Sequence, residues 1–253
     1  MVFFCKLLPL MKKSKSLFGD FSRNEMKQFH IFVFPVLIVR GILWFTALFI
    51  LHFLFRMEVR GKENLKGIPN GRVIFAANHS SEVDPYAFQY TLSFPSKFVP
   101  LYFVSLTKEY YPISKFGFRS FVYGGFLFRL MGAYPVYKGL HDFEKAFTYH
   151  IKILEMNHSV LLFPEGRKNN LKIGEAKPGI VFLAKRTGAL VVPVKISGTV
   201  NMNLISVLLR RRKIVITFGT PIPHSSFLID SATPPEQQYK KYAQEIMCRI
   251  EAL

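Results

Sequence analysis

The sequence predicts an α/β fold. A mostly parallel central sheet is flanked by helices, and an N-terminal membrane-associating helix or helix pair precedes it. Three observations carry this expectation. Apolar runs of strand length recur from residue 58 onward. Segments of helical periodicity lie between several of them, the alternation expected of a parallel sheet. A long apolar run, residues 31–55, stands before them.

The first 57 residues are expected to form a basic segment and a hydrophobic anchor, and residues 58–253 the α/β domain. Lys6, Lys12, Lys13, Lys15, Arg23 and Lys27 face only Asp20 and Glu25 in the first thirty positions. The run that follows has the length of a membrane span, for which about 20 residues suffice. Arg40 divides it. An arginine at a helix centre costs roughly 2.5–3.5 kcal/mol, which several Leu, Ile and Phe offset at about 0.3 to 0.6 kcal/mol each. One tilted span and a pair of short helices dipping into one leaflet both fit. The basic flank places the N-terminus on anionic lipid at the cytoplasmic face of a membrane.

Strands are expected at 72–77, 97–104, 133–137, 159–163, 190–196 and 213–218. A helix is expected after an Asp142 cap, with Phe143, Phe147, His150, Ile151 and Leu154 on one stripe. Gly179 to Arg186 reads as a shorter helix closed by Gly188. Thr233, Pro234, Pro235 and Glu236 spell a helix start, and Tyr239, Tyr242, Ile246, Ile250 and Leu253 form an apolar face behind it. Residues 166–178 and 219–234 read as loops. In such sheets, ligands gather beyond the carboxyl ends of strands.

Composition narrows the partners. The 253 residues carry 34 basic and 16 acidic side chains, a formal charge of +18, while half of them are hydrophobic. That balance excludes a disordered chain and calls for an anionic partner. The aromatics lie mainly inside apolar runs, and no nucleic-acid-binding signature is present, so the partner expected is a phospholipid membrane and not nucleic acid. Cys5 and Cys248 give neither a disulfide framework nor metal spacing.

The expected strand 72–77 breaks into "NHSSEVDPY". On a regular helix His79 and Asp84 would point about 140° apart. Pro85 biases Asp84 away from helical geometry, so 78–84 reads as a turning loop. A loop lets the Asp84 carboxylate return to a ring nitrogen of His79, fixing its tautomer and leaving the other nitrogen as a base. Taken alone, the stretch also fits a capped turn, with Asp84 serving the next helix. A second strand end, "VLLFPEGRKNN", carries Glu165, Gly166, Arg167 and Lys168. Pro164 and Gly166 set a tight backbone there, and the cations suit a phosphate.

These stretches together resemble the glycerolipid and lysophospholipid acyltransferases, of the 1-acylglycerol-3-phosphate acyltransferase type. That family's first motif is Asn-His, four residues, then Asp, matched by Asn78, His79 and Asp84. Its third is Phe-Pro-Glu-Gly-Thr-Arg, matched by Phe163 to Lys168. Val192-Pro193-Val194 matches the fourth, and "GAYPVYK", ending in Lys138, approaches the second. The likeness covers roughly residues 59–222.

The resemblance implies a general-base mechanism. His79 takes a proton from a lipid hydroxyl, Asp84 orients His79, and the oxygen attacks an acyl thioester. No metal and no cofactor are implied beyond acyl-CoA or acyl-carrier protein as co-substrate. Asn78, Lys138, Glu165, Gly166, Arg167 and Lys168 are the implied binding residues for a lysophospholipid acceptor. Three positions depart from the family: Arg167 stands for threonine, and Lys138 and Lys168 for arginine. Lysine is a point charge and not a bidentate fork, so acceptors other than 1-acylglycerol-3-phosphate stay open.

Overall fold

The computed structural model describes residues 56–92, 96–117, 120, 128–129, 131–139, 142–169, 174–200, 213–230 and 233–253. The expected anchor, Arg40 included, lies outside them. Among the described residues no helix is long and apolar enough to cross a membrane.

Seven strands form one sheet: β1 (Arg56–Arg60), β2 (Val73–Ala77), β3 (Leu101–Leu106), β4 (Ala133–Val136), β5 (Ser159–Leu162), β6 (Leu190–Ser197) and β7 (Lys213–Phe218). Their order is β1-β7-β6-β2-β5-β3-β4. Strands β6, β2, β5, β3 and β4 run parallel. β7 is antiparallel to β6, and β1 is parallel to β7. The sheet is thus mostly parallel, with two reversed strands at one edge.

All six expected strands are present, and β1 joins them. The expected domain boundary falls inside β1, where Arg56 and Met57 pair with Lys213 and Ile214. The strand expected at 97–104 starts later, at Leu101. Residues before it are held in a turn by Ser96, which accepts Phe98 N–H on its hydroxyl and Val99 N–H on its carbonyl. Pro100 has no N–H to give to a ladder.

Among the described residues six α-helices flank the sheet: α1 (Asp84–Thr91), α2 (Ile113–Phe116), α3 (Phe143–Ala146), α4 (Thr148–Glu155), α5 (Gly179–Thr187) and α6 (Pro235–Ala252). Asp142 does cap, its Oδ1 accepting Lys145 N–H at 3.2 Å. The stripe behind it is broken at Phe147 into α3 and α4. Phe147 presses on Gly179, where a Cβ would meet its ring at 2.5 Å. Only a glycine lets that ring in. Gly188 closes α5 in the left-handed conformation, as expected. The start of α6 differs from expectation. Pro234 occupies the cap position without a side-chain cap. Gln238 instead reaches back, its Nε2 donating to Thr233 O at 2.6 Å and Asp230 O at 3.0 Å.

Alternation along β2 builds two cores. Ile74 and Ala76 face the side covered by α4, α5 and α6. Val73, Phe75 and Ala77 face the side covered by α1. On that side Phe75 meets Phe88, Phe98 and Phe218 with centroids 5.0, 5.6 and 6.2 Å away. Such ring pairs add about 0.5–1.5 kcal/mol each beyond area burial. The packed centre holds the carboxyl ends of β2, β5 and β6 side by side.

Candidate active site

His79 lies just past the carboxyl end of β2, in the loop that leads into α1. That loop is one residue shorter than expected, because Asp84 is already the first residue of α1, with Pro85 accommodated in its first turn. Asn78 secures the strand end first. Its Nδ2 donates to Ile196 O at 2.9 Å and its Oδ1 accepts Ile196 N–H at 2.7 Å, extending the β2–β6 pairing by one side chain. The chain then turns. Asp84 Oδ2 accepts the N–H groups of Ser80 at 2.7 Å and Ser81 at 2.8 Å. The same oxygen meets His79 Nδ1 at 2.9 Å. Of the two readings of "NHSSEVDP", the imidazole contact is present and the cap on the next helix is not, since α1 has no side-chain cap. Asp84 caps a turn and contacts the imidazole, but it caps the turn behind it and not the helix ahead.

A carboxylate oxygen that already accepts two N–H groups acts as an acceptor, so His79 Nδ1 is the donor. Nε2 then carries the lone pair. Asp84 is fully buried, whereas the His79 side chain is 18% exposed. The ring lies on Phe163, with centroids 4.1 Å apart and planes 18° from parallel. A stacked face and a fixed Nδ1 leave the Nε2 edge oriented.

The β5 end supplies the rest. Gly166 adopts φ 64°, a conformation that favours glycine, and its N–H closes a turn on Phe163 O at 3.0 Å. The Pro164–Gly166 turn is as tight as the sequence suggests. Glu165, only 3% exposed, points inward. Its Oε1 accepts His79 N–H at 3.1 Å. Its Oε2 accepts Gly174 N–H at 2.9 Å and the Asn169 side-chain amide. Both oxygens are thus engaged within the protein. Asn169 N–H in turn donates to His79 O at 2.8 Å. The loop 163–169 holds His79 by its ring, its N–H and its carbonyl.

The cations divide into two groups. Lys168 Nζ reaches Glu82 Oε1 at 3.0 Å on the surface and ties this loop to the His79 loop. Arg167, Lys138, Lys177 and the Gly166 backbone line a cavity of about 260 Å³, with Glu165 and Glu175 on its wall. Burial first, and then the charge of Lys177, pushes the Lys138 ammonium below its usual range. An ammonium held below its usual range in this way gains from an anionic ligand. Lys177 and Asn169 were not singled out from the sequence. The signal for Lys177 was the "KPG" that starts α5: its N–H donates to Pro164 O at 2.8 Å.

The site thus has a buried carboxylate, an oriented imidazole and a cationic cavity on one sheet edge. The chain is similar to known proteins. Two chloroplastic 1-acyl-sn-glycerol-3-phosphate acyltransferases, from Arabidopsis thaliana and Brassica napus, are each 26% identical over 147 residues, 57% of this chain. The matched stretch spans 37% and 38% of those proteins' own lengths. The crystal structure of the 1-acyl-sn-glycerophosphate acyltransferase of Thermotoga maritima superposes with a TM-score of 0.52. It covers 78% of this chain and 72% of that one at 21% identity, a likeness of fold. The profile of the Acyltransferase family matches residues 56–197, which include His79, Asp84 and the whole 163–169 loop, and the chain belongs to that family.

Proposed function

We propose that this chain is a membrane-bound O-acyltransferase. It moves a fatty acyl group from a thioester donor, acyl-CoA or acyl-carrier protein, to the hydroxyl of a lysophospholipid. The acceptor best suited is 1-acylglycerol-3-phosphate, giving phosphatidic acid at the cytoplasmic face of a membrane. The observation that carries the reading is the 2.9 Å contact between His79 Nδ1 and Asp84 Oδ2 beside a cationic cavity.

The geometry supports the following steps. His79 Nε2 takes the hydroxyl proton as the oxygen attacks the thioester carbonyl. The new C–O bond forms, the C–S bond breaks, and the thiolate recovers the proton from the imidazolium. Asp84 stabilises that imidazolium without leaving its own hydrogen bonds. Arg167, Lys138 and Lys177 surround the acceptor's phosphate, while Asn78 and Glu165 hold the frame. Gly166 gives that phosphate a backbone without a side chain in the way. Lys168, paired to Glu82, ties the two loops together at the mouth of the site.

Positioned acid–base catalysis contributes about 10²–10⁴ in rate. His79→Ala is therefore expected to lose at least roughly a hundredfold in turnover and to keep its circular dichroism and vesicle flotation. Thiol release from both donors, over a panel of lysophospholipids, measures this. Near-normal turnover in His79→Ala would overturn the mechanism. A second acceptor class has one specific support, the lysines at positions 138 and 168. Preference for a lysolipid with a larger headgroup in the same panel would favour it.

A further inference from the structure

We propose that the carboxyl edge of the sheet is the face on which this domain docks to an anionic lipid bilayer. Tyr110 and Ile113 enter the interface, and Lys108, Lys115 and Lys138 meet the headgroups. The proposal rests on the reading of the acceptor as a membrane lipid and names the surface that receives it.

The exposed apolar groups are unevenly placed. Five large ones stand out among the described residues: Tyr86, Tyr110, Ile113, Tyr137 and Leu228. Four of them follow the carboxyl ends of strands. Tyr86 opens α1 after β2, Tyr110 and Ile113 follow β3, and Tyr137 directly follows β4. This is the edge that carries His79. Leu228 belongs to the connection after Ile222, which pairs with Val191 near the amino end of β6. Scattered exposed apolar residues need no explanation, but a group of them around a catalytic edge does.

The charges on this edge fit lipid better than protein. Lys108 and Lys115 flank Tyr110 and Ile113 in sequence, and all four are exposed. Lys138 places its Nζ 5.4 Å from the Tyr110 ring centroid. Glu109 is the single acid between Lys108 and Lys115. Aromatic rings and long cationic side chains together are the chemistry of the headgroup level. Lys138 also lines the cationic cavity, so the surface runs without a break into the proposed acceptor site.

Chain direction gives the same answer. Because β7 is antiparallel to β6, Lys213 starts beyond Val215, which pairs with Ser197 at the carboxyl end of β6. Arg56 pairs with Lys213. The first 55 residues, with their apolar run, therefore join the domain at this edge. A bilayer holding that run lies against the side where Tyr110 and Ile113 project.

The test uses the full chain with Cys5→Ser and Cys248→Ser, and one new thiol at a time, Ile113→Cys or Leu228→Cys. Each is labelled with an environment-sensitive fluorophore and mixed with phosphatidylcholine vesicles, with and without phosphatidylglycerol. The label at position 113 is expected to shift to the blue, more strongly with phosphatidylglycerol, and to be quenched by spin-labelled lipid. The label at position 228 is expected to stay unshifted, although Leu228 is the more exposed at 74% against 61%. No shift at 113, or equal shifts at both, overturns the proposal. Tyr110→Cys provides a second probe should Ile113→Cys fail to fold. Thiol release with a water-dispersed short-chain acceptor tests the reaction separately, so docking and chemistry fail independently.

Discussion

Glu165 Oε1 accepts the backbone N–H of His79 at 3.1 Å, from a loop that begins 84 residues further along the chain. Its other oxygen gathers Gly174 N–H and the Asn169 amide, and Asn169 N–H holds the His79 carbonyl. The two strand ends are therefore one unit. The carboxylate sets where the imidazole stands, with each of its oxygens holding at least one N–H group of the protein. Glu165→Gln puts an amide N–H against one of these N–H donors. A buried donor without an acceptor costs about 1–3 kcal/mol, and displacing a catalytic group by about 1 Å costs on the order of 10² in rate. The expected result is turnover down about a hundredfold with KM changed less than threefold, as ordered by that displacement. A large rise in KM at normal turnover would instead make Glu165 a substrate contact.

Lys177 tests the cationic cavity. It lines the same wall as Arg167 and Lys138, and its charge helps to hold the Lys138 ammonium below the usual range. An incoming phosphate relieves that repulsion. Lys177→Ala is expected to raise KM for a phosphate-bearing acceptor roughly tenfold, about 1.4 kcal/mol, at nearly unchanged turnover. A phosphate-free lysolipid analogue is expected to be indifferent to the change. An equal loss with both acceptors would show that the cavity binds something other than phosphate.

The sequence reveals much of this architecture because apolar runs and turn residues are local signals. Six strands, the Asp142 cap and the Gly188 stop were readable in that way. β1 was not. Arg56, Glu58 and Arg60 alternate with Met57 and Val59 on an edge strand, and its partner lies more than 150 residues away. The His79–Asp84 pair was legible because Pro85 suits only the first turn of a helix, so the residues before it had to turn, although Asp84 itself already opens α1. The direction of Glu165 was not. A carboxylate beside cations reads as surface, and only the returning Gly174 and Asn169 show that it is buried. The α6 start misled for a related reason: Gln238, five residues beyond Thr233, supplies the contacts that a capping side chain would have made.

His150 gives the fold a pH dependence that owes nothing to catalysis. It lies on the buried face of α4 with no exposed surface, and neither ring nitrogen has a hydrogen-bond partner. The carbonyls of Tyr134 and Phe103 face the ring and pull weakly the other way. Burial dominates and lowers its pKa from 6.5 to about 4. The sign follows from proton counting. Below pH 6.5 the unfolded chain takes up a proton that the folded chain refuses until about pH 4. Stability is therefore full above the unfolded value and is lost as pH falls between the two. The loss at pH 5 relative to pH 7 is about 2 kcal/mol by this linkage. Urea unfolding at the two pH values measures it in the parent chain and in His150→Leu, which keeps an apolar side chain in the same core. The substitution is expected to remove about that much of the difference. An unchanged pH dependence in His150→Leu would mean that other groups, and not this buried imidazole, set the acid limit of the fold.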